Sequence, residues 1–265
     1  MAKIISILNF KGGVGKTTTC INLGTALWMQ GYKVLLVDSD SQANLTRHMD
    51  FDASAGDPTL YNWMNDASIN PPVYQRYDGL FYIPAGRNLL DIEAAMITKM
   101  NREHILDERL QIVSDFFDYI LIDCSPKEGL LNTNAMTASD GVIIPVECST
   151  YAIDGLVVIE NGINDVKKYL NPKLEIMGMV ITRYNKQLRI SRSIINSLEK
   201  QYPGLVFDNK ISMCVKIQES PFYNQSVFEF KPLPSAAEEY FRLSEEIIGV
   251  KHNRNWEKLV AKFEN

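Results

Sequence analysis

Asn9-Phe10-Lys11-Gly12-Gly13-Val14-Gly15-Lys16-Thr17-Thr18 is the stretch that decides the fold predicted for this chain. The apolar run before it, residues 4–8, has the composition of a short buried strand, and residues 17–30 carry apolar side chains at helical spacing. A glycine-rich turn between a strand and a helix lets backbone N–H groups surround phosphate oxygens, and the helix N-terminus favours their negative charge. The sequence therefore predicts a phosphate-binding loop.

The second half of this stretch assigns chemistry to single residues. It fits the end of the G-x-x-x-x-G-K-[ST] pattern, with Lys11 at the position of the first glycine. Lys16 is predicted to neutralise phosphate charge and the Thr17 hydroxyl to bind Mg²⁺. A plain glycine turn capping a helix is the alternative, but it needs neither the lysine nor two threonines at this spacing. The predicted nucleotide-binding residues of the loop are Lys11, Gly12, Gly13, Val14, Gly15, Lys16, Thr17 and Thr18.

The segment KGGVGKTT resembles the deviant Walker A motif of the ParA/MinD family of dimeric ATPases. The resemblance implies that the nucleotide is ATP and that Lys11 reaches across a dimer to the partner's nucleotide, so that Lys11 and Lys16 both serve catalysis. It also implies an α/β fold of the P-loop NTPase class, with a mostly parallel twisted sheet and helices on both faces.

Three aspartates follow predicted strands. Residues 32–37 predict a strand that ends in Asp38-Ser39-Asp40, and residues 117–122 predict another that ends at Asp123. The carboxyl ends of parallel strands face the ligand crevice, so Asp123 is the candidate for holding Mg²⁺ near the phosphates. The segment VDSDSQANLT resembles the family's VDxDPQGN, which implies that Asp40 orients or activates the attacking water and that Asp38 supports the metal site. Helix capping is the alternative for Asp38 and Asp40.

Two further segments resemble the family but depart from its pattern. DCSPKEGLL, residues 123–131, resembles the switch segment DCPPSLGLL, with departures at Ser125 and Lys127. ISMCVK, residues 211–216, stands where the family has IPRxVR, a loop that packs on the adenine through backbone contacts. The resemblance implies adenine contacts at Ser212 and Cys214.

Composition limits the classes of function. A chain of 265 residues with 46% hydrophobic content suits one α/β domain, predicted at residues 1–250 with a helical tail at residues 251–265. The sequence has no apolar run of membrane-spanning length and no secretory signal, so we expect a soluble cytoplasmic protein. The cysteines lack CxxC spacing, which predicts neither a disulfide framework nor a zinc site.

Charge is segregated along the chain. The net charge is −5, yet residues 183–216 hold seven basic and two acidic residues. The resemblance implies DNA binding here, because Lys216 keeps a positive charge where the family has a DNA-contacting arginine, and Lys186, Arg189 and Arg192 lie around the position of a second. A solvated basic helix face is the alternative.

The resemblance is closest to short, Soj-like ParA proteins, and it predicts a nucleoid-associated ATPase for plasmid or chromosome partition. Such an ATPase forms an ATP-dependent homodimer, binds non-specific DNA and hydrolyses ATP slowly until a DNA-bound, ParB-like partner stimulates it. One rival is a MinD-like positioning ATPase at the membrane surface, which would use the stripe of Trp256, Leu259, Val260 and Phe263. We favour docking of this stripe on the protein's own core. A second rival, the nitrogenase iron-protein branch, needs suitably placed cysteines near the switch.

Overall fold

The computed structural model describes residues 1–53, 55–149, 152–230, 233–252 and 255–264. The strands are β1 (Lys3–Ile7), β2 (Val34–Ser39), β3 (Tyr74–Tyr77), β4 (Leu80–Ile83), β5 (Tyr119–Cys124), β6 (Gly141–Glu147) and β7 (Glu175–Thr182). The α-helices are α1 (Lys16–Met29), α2 (Asn44–His48), α3 (Leu60–Asn65), α4 (Ile92–Met96), α5 (Ile105–Val113), α6 (Leu130–Thr137), α7 (Ala152–Tyr169), α8 (Arg189–Gln201), α9 (Val215–Tyr223), α10 (Ser235–Ile248) and α11 (Trp256–Val260). Short 3₁₀ helices span Arg87–Asp91, Arg102–His104, Ser114–Phe116 and Ala261–Glu264.

The strands form one sheet in the order β3-β4-β2-β5-β1-β6-β7. All neighbouring pairs are parallel except β3 with β4. Strand β1 lies between β5 and β6, and β5 lies between β1 and β2, so their carboxyl ends meet at one edge of the sheet. This arrangement confirms the predicted α/β class with a mostly parallel sheet.

Alternating strand residues build a core on each face of the sheet. In β1, Ile5 and Ile7 pack with apolar residues of α1 and α10, whereas Ile4 packs on the opposite face with residues of α3 to α8. The same alternation in β2 sends Leu36 to the first face and Leu35 to the second. Burial of each such aliphatic side chain stabilises the fold by about 1.5–3 kcal/mol. Because successive strand residues point to opposite faces, every strand contributes to both helical layers.

The N-terminal end of α1 meets the phosphate-loop candidate, and its C-terminal end meets the tail. The Lys262 ammonium donates to the carbonyl oxygen of Met29 at 3.0 Å, and the Phe263 ring lies 5.1 Å from the ring of Trp28. The Trp256 ring lies 5.3 Å from that of Phe241 in α10. The apolar stripe of the tail therefore packs on the protein's own core, as we expected.

Two segments differ from the prediction. In residues 50–78, glycine and prolines break the pattern and the sequence predicts a helix only at residues 59–65, yet the segment also supplies β3, an antiparallel edge strand. The sequence of residues 205–208 predicts a strand, but the structure has only a single bridge there, from Val206 to Met179. The N–H groups of Asp208 and Asn209 donate to the Glu246 carboxylate of α10, which interrupts the bonding to β7 until the N–H of Ile211 donates to the carbonyl oxygen of Ile181 at 2.8 Å.

Two of the segments predicted to be helical include residues that the structure does not describe. A helix is predicted from Tyr151 to Tyr169, but Tyr151 itself lies outside the described residues, and α7 begins at Ala152. Positions 253, 254 and 265 of the predicted tail also lie outside them. Within the described part of the chain, no helix combines the length and the apolar character needed to cross a membrane.

Candidate functional site

The loop between β1 and α1 has the backbone of an anion cradle. Gly13 and Gly15 have φ of +76° and +90°, a left-handed conformation that side chains with a Cβ rarely adopt. The Thr182 hydroxyl, at the end of β7, donates to the carbonyl oxygen of Val14 at 2.9 Å and holds the loop at the sheet edge. Gly15 is the N-cap of α1, and no side chain caps this helix. The first N–H groups of α1 are thus left for an anion.

Lys16 is buried inside this loop, with 7% of its surface exposed. Its ammonium donates to the carbonyl oxygen of Lys11 at 3.0 Å, which closes the loop over the side chain. Burial lowers the pKa of Lys16, and the nearby Asp123, Cys124 and Asp40 oppose that shift. A buried cation in such a place is stabilised by a bound anion.

Asp123 lies one residue before the end of β5, directly beside Asp38 of β2. It is fully buried, and neither of its carboxyl oxygens has a hydrogen-bond partner in the described structure. Burial raises the pKa of Asp123 well above its usual value, Asp38 raises it further, and the Thr17 hydroxyl opposes the rise. A divalent cation held directly or through water would supply the missing partner of this carboxylate.

A metal ion at this edge needs ligands beyond the protein's acidic side chains. Among the described residues, no three His, Cys, Asp or Glu side chains come together in a ligand set. The Thr17 hydroxyl and Asp123 fit a magnesium ion whose other ligands are phosphate oxygens and water, which is the way Mg²⁺ is held in most nucleotide sites.

Asp38 is occupied by its own chain. Its Oδ1 accepts from the N–H of Asp40 at 3.1 Å, and its Oδ2 accepts from the N–H and the hydroxyl of Thr46 at 2.8 and 2.6 Å. Burial raises the pKa of Asp38 to about 6, and these hydrogen bonds oppose the rise. The geometry fits the capping role that we kept as the alternative, because Asp38 ties β2 to the first turn of α2. Its support of a metal stays a prediction.

Asp40 faces a cavity next to the loop. This cavity of about 710 Å³ is also lined by Gly12, Gly13, Lys16 and Thr17. Asp40 is 7% exposed, and its Oδ1 accepts from the N–H of Gln42 at 3.0 Å. The carboxylate is therefore held at the wall of the cavity in which the end of a polyphosphate would lie.

The Lys11 side chain lies outside that cavity. Its ammonium donates to the Ser149 hydroxyl at 3.0 Å and pairs with the Glu147 carboxylate at 3.5 Å, at the carboxyl end of β6. Nearly half of the side chain, 47%, is exposed. In this single chain Lys11 contributes a backbone carbonyl to the loop and presents its charge at the surface.

Ser212 and Cys214 line a second cavity of about 460 Å³. Gly15 and Thr18 belong to the walls of both cavities, so the two spaces adjoin at the start of α1. Ser212 donates from its N–H at 2.7 Å and from its hydroxyl at 2.6 Å to the Glu239 carboxylate of α10. This second cavity adjoins the loop, where an adenine ring could lie. The Ser212 N–H, however, already donates to Glu239 and is not free to contact the ring.

The four predicted DNA-contacting residues are exposed on two adjacent segments. Lys186 precedes α8, which carries Arg189 and Arg192, and Lys216 lies in the first turn of α9. The segments touch because the N–H of Met213 donates to the carbonyl oxygen of Tyr184 at 3.0 Å. Lys216 pairs with Glu219 at 2.8 Å, so one of the four charges is partly compensated.

The sequence-based prediction missed two residues that line both cavities. Arg183 follows β7 with φ of +50°, and its guanidinium binds Glu147 at 3.2 Å. Gln218 is exposed on α9 at the junction of the two spaces. Arg183 was visible only as one charge of the basic window, and Gln218 gave no signal because its position depends on how α9 packs.

Comparisons with known proteins agree with this geometry. A family model described as an AAA domain matches residues 2–176. The sporulation initiation inhibitor protein Soj of Bacillus subtilis is 36% identical over 249 residues, which cover 93% of this chain and 98% of Soj. The chromosome partitioning protein ParA of Caulobacter vibrioides is 34% identical over 95% of this chain and 96% of its own length.

Two solved structures are similar over almost the whole chain. Cobyrinic acid a,c-diamide synthase of Mycobacterium smegmatis, with bound ADP and magnesium, superposes with a TM-score of 0.81 at 28% identity and covers 92% of this chain and 93% of its own. The Cyanothece McdA(D38A)–ATP complex superposes with a TM-score of 0.86 at 24% identity and covers 96% and 99%. The second similarity shows the fold alone.

Proposed function

The chain belongs to the ParA/MinD family of P-loop ATPases, and from this membership we propose that it binds and hydrolyses ATP with Mg²⁺ to drive DNA partition. The observation that carries the proposal is the pairing of an uncapped, left-handed glycine loop around buried Lys16 with a buried Asp123 carboxylate that has no hydrogen-bond partner among the described residues. A buried cation and a buried carboxylate are each costly without a partner of opposite charge. The phosphates of ATP would supply that partner for Lys16, and Mg²⁺ would supply it for Asp123.

Each residue of the site has a proposed task. Lys16 and the N–H groups at the start of α1 hold the β- and γ-phosphates, and Thr17 with Asp123 holds the metal, which neutralises charge that develops on the phosphates. Asp40 orients the attacking water from the cavity wall. The adenine lies in the second cavity against Ser212 and Cys214.

Assembly is the second part of the proposal. ATP joins two chains face to face, and Lys11 leaves Glu147 to reach the partner's nucleotide. The charge of the Lys11 ammonium lies outside its own cavity, and its half-exposed ion pair is of a kind that contributes only about 0–1 kcal/mol. Both facts support a side chain that is available for a partner.

DNA binding follows from pairing two basic surfaces. The surface of Lys186, Arg189, Arg192 and Lys216 contacts phosphates without reading bases, so two copies in a dimer hold one duplex where a single copy releases it. A DNA-bound, ParB-like partner then stimulates hydrolysis and releases the dimer. Because it binds non-specific DNA during this cycle, the protein is associated with the nucleoid in the cytoplasm.

Binding to a labelled duplex tests this function. Fluorescence anisotropy should show affinity with ATP, little affinity with ADP, and equal affinity for two unrelated sequences. Each phosphate contact contributes about −0.9 to the slope of log affinity against log salt, so the Lys216→Ala dimer should flatten the slope by up to about two units. Lys167→Ala, which removes an exposed lysine on α7, is the matched control. Binding that ignores the nucleotide would contradict the proposal.

The membrane alternative has less support. The apolar residues Trp256, Leu259 and Phe263 of the tail pack against the core, so they are not available to a lipid surface without detaching. Co-sedimentation with anionic liposomes, with and without the last twelve residues, distinguishes the two functions. The iron-protein alternative also has less support, since it needs suitably placed cysteines near the switch and Cys124, in that segment, is fully buried.

A further inference from the structure

A small cavity lies beside the proposed site of hydrolysis. It has a volume of about 130 Å³ and shares Asp40, Gln42 and Pro126 with the large nucleotide cavity. This space is large enough to admit water. Residues 125–128, from the segment Ser125–Gly129 that joins β5 to α6, form part of its wall together with Asp40. The position of this segment therefore sets the shape of the space from which water reaches Asp40.

The segment is held internally by hydrogen bonds, and the shortest of them come from α6. The Asn132 amide of α6 donates to the carbonyl oxygens of Ser125 at 2.9 Å and of Lys127 at 2.7 Å. These bonds fold the segment back on its own helix. They do not connect it to the rest of the protein.

Glu93 of α4 connects α6 to a different part of the protein. Its Oε1 accepts from the N–H of Leu131, in the first turn of α6, at 3.2 Å. The N-cap residue Gly129 has no side chain with which to cap the helix. Glu93 is therefore the acceptor for that turn, and its negative charge lies at the favourable end of the helix dipole.

The backbone that carries Glu93 is anchored in the core, whereas its side chain is exposed. Ile92 and Met96, on either side of it in α4, are fully buried in the core. A Cβ on Gly129 would overlap Oε1 of Glu93. The φ of Gly129 is 171°, which any residue adopts, so the glycine is needed there for the close approach of Glu93 and not for its own conformation.

We propose that Glu93 is a positioning residue for ATP hydrolysis. By holding the N-terminus of α6, it keeps the segment Ser125–Gly129 in place and preserves the cavity that this segment lines together with Asp40. It acts through the hydrogen bond to Leu131 and transfers no proton. The inference rests on the proposed function, because it concerns the water that attacks ATP.

Steady-state hydrolysis in three variants tests the role. Glu93→Ala should lower kcat about tenfold and leave both KM and the Kd for ATP unchanged, because the phosphate cradle is untouched. Glu93→Gln keeps an oxygen acceptor for the Leu131 N–H and should retain kcat within about twofold. Asp91→Asn is the control, since it neutralises an exposed carboxylate two residues earlier whose side chain makes no hydrogen bond in the described structure.

A double-mutant cycle with Gly129→Ala gives independent evidence. The new methyl group should displace the Glu93 carboxylate and lower kcat as Glu93→Ala does, and the double variant should show no further loss. Hydrogen exchange of peptides from residues 126–134, measured without ATP, should rise in both single variants.

Three results would overturn the inference. One is a kcat of Glu93→Gln as low as that of Glu93→Ala, which would show a role for the charge or a proton. Another is an additive loss in the double variant. The third is an unchanged kcat in Glu93→Ala while the wild-type protein hydrolyses ATP, which would leave the proposed function intact. Absence of hydrolysis in the wild-type protein would overturn the proposed function and this inference with it.

Discussion

Lys11 and Glu147 form an ion pair in which 3.5 Å separates Nζ from Oε2, and Arg183 binds the other oxygen of the same carboxylate at 3.2 Å. One acid thus holds two cations at the rim of the nucleotide cavity. The three side chains are about a quarter to a half exposed, so each pair contributes little to stability and opens readily. The Lys11 ammonium thus stays near the nucleotide cavity but makes no strong interaction there.

Lys11→Ala is expected to separate nucleotide binding from assembly. The variant should bind ATP with nearly normal affinity, because the Lys11 ammonium lies outside the chain's own cavity, but it should remain a monomer. Light scattering with and without ATP measures this. Glu147→Gln, which keeps Lys11, should still dimerise and serves as the control. An ATP-dependent dimer of normal stability in Lys11→Ala would remove the proposed role across the interface.

Lys16→Ala is expected to abolish stable ATP binding. Removal of a buried cation leaves phosphate charge uncompensated in a partly dry cavity, a loss of about 3–5 kcal/mol. Titration with a fluorescent ATP analogue should show at least a hundredfold weaker binding, while circular dichroism shows a folded protein. Lys11→Ala is the matched lysine variant and should bind. Equal affinities in the two variants would argue against the cradle.

Asp40→Ala is expected to bind ATP and to form the dimer, yet to hydrolyse ATP about 10²–10⁴-fold more slowly. The side chain lies at the cavity wall and binds the N–H of Gln42, so its loss removes the water-orienting group and spares the phosphate loop. Phosphate release and light scattering on one sample measure the two properties. Hydrolysis at the wild-type rate would show that another group orients the water.

His48 is expected to make the nucleotide-free protein less stable in mild acid. Burial lowers the pKa of His48 from 6.5 to about 4, and Arg76 adds to the shift. As the pH falls below 6.5 the unfolded chain takes up this proton first, so the free energy of unfolding should fall by about 3 kcal/mol by pH 4. Asp38, with its pKa raised to about 6, acts in the opposite direction, since the folded state binds that proton first.

A variant isolates the contribution of His48. His48→Gln lacks the titrating group but keeps Asp38, so the difference in unfolding free energy between wild type and variant should shift by about 3 kcal/mol between pH 7.5 and 4. Urea denaturation at several pH values measures this difference. A difference that does not change with pH would mean that His48 is hydrated or protonated in the folded protein.

Local patterns were enough to predict the sheet edge and the loop. The glycine loop, the strand that ends at Asp123 and the parallel direction of the strands depend on short segments and on one crossover, and the structure places them as predicted. The strand β3 was missed because its few residues follow a proline-rich stretch and pair only with the next strand. Edge strands of this length carry little pattern of their own.

Contacts between distant segments could not be predicted from the sequence. Glu147 lies 136 residues from Lys11, and their contact depends on β6 pairing with β1. Glu93 lies 38 residues from Leu131, and their contact depends on how α4 and α6 pack on the sheet. Asp38 shows the same limit within one loop. Its position at the end of a strand fits both a metal ligand and a cap, and only the structure shows that it accepts hydrogen bonds from Thr46 in the first turn of α2.

The contact between the tail and α1 gives the protein an optical reporter. The Trp28 indole is 5% exposed, stacks on Tyr77 at 5.1 Å and lies under the Lys262 ammonium at 5.7 Å. The helix that carries it spans about 21 Å from the phosphate loop to this cluster. With Trp63 and Trp256 replaced by phenylalanine, Trp28 is the one fluorophore of its kind among the three tryptophans of the sequence. Its emission wavelength then registers, without any label, whether the C-terminal segment is seated on the far end of the nucleotide-binding helix.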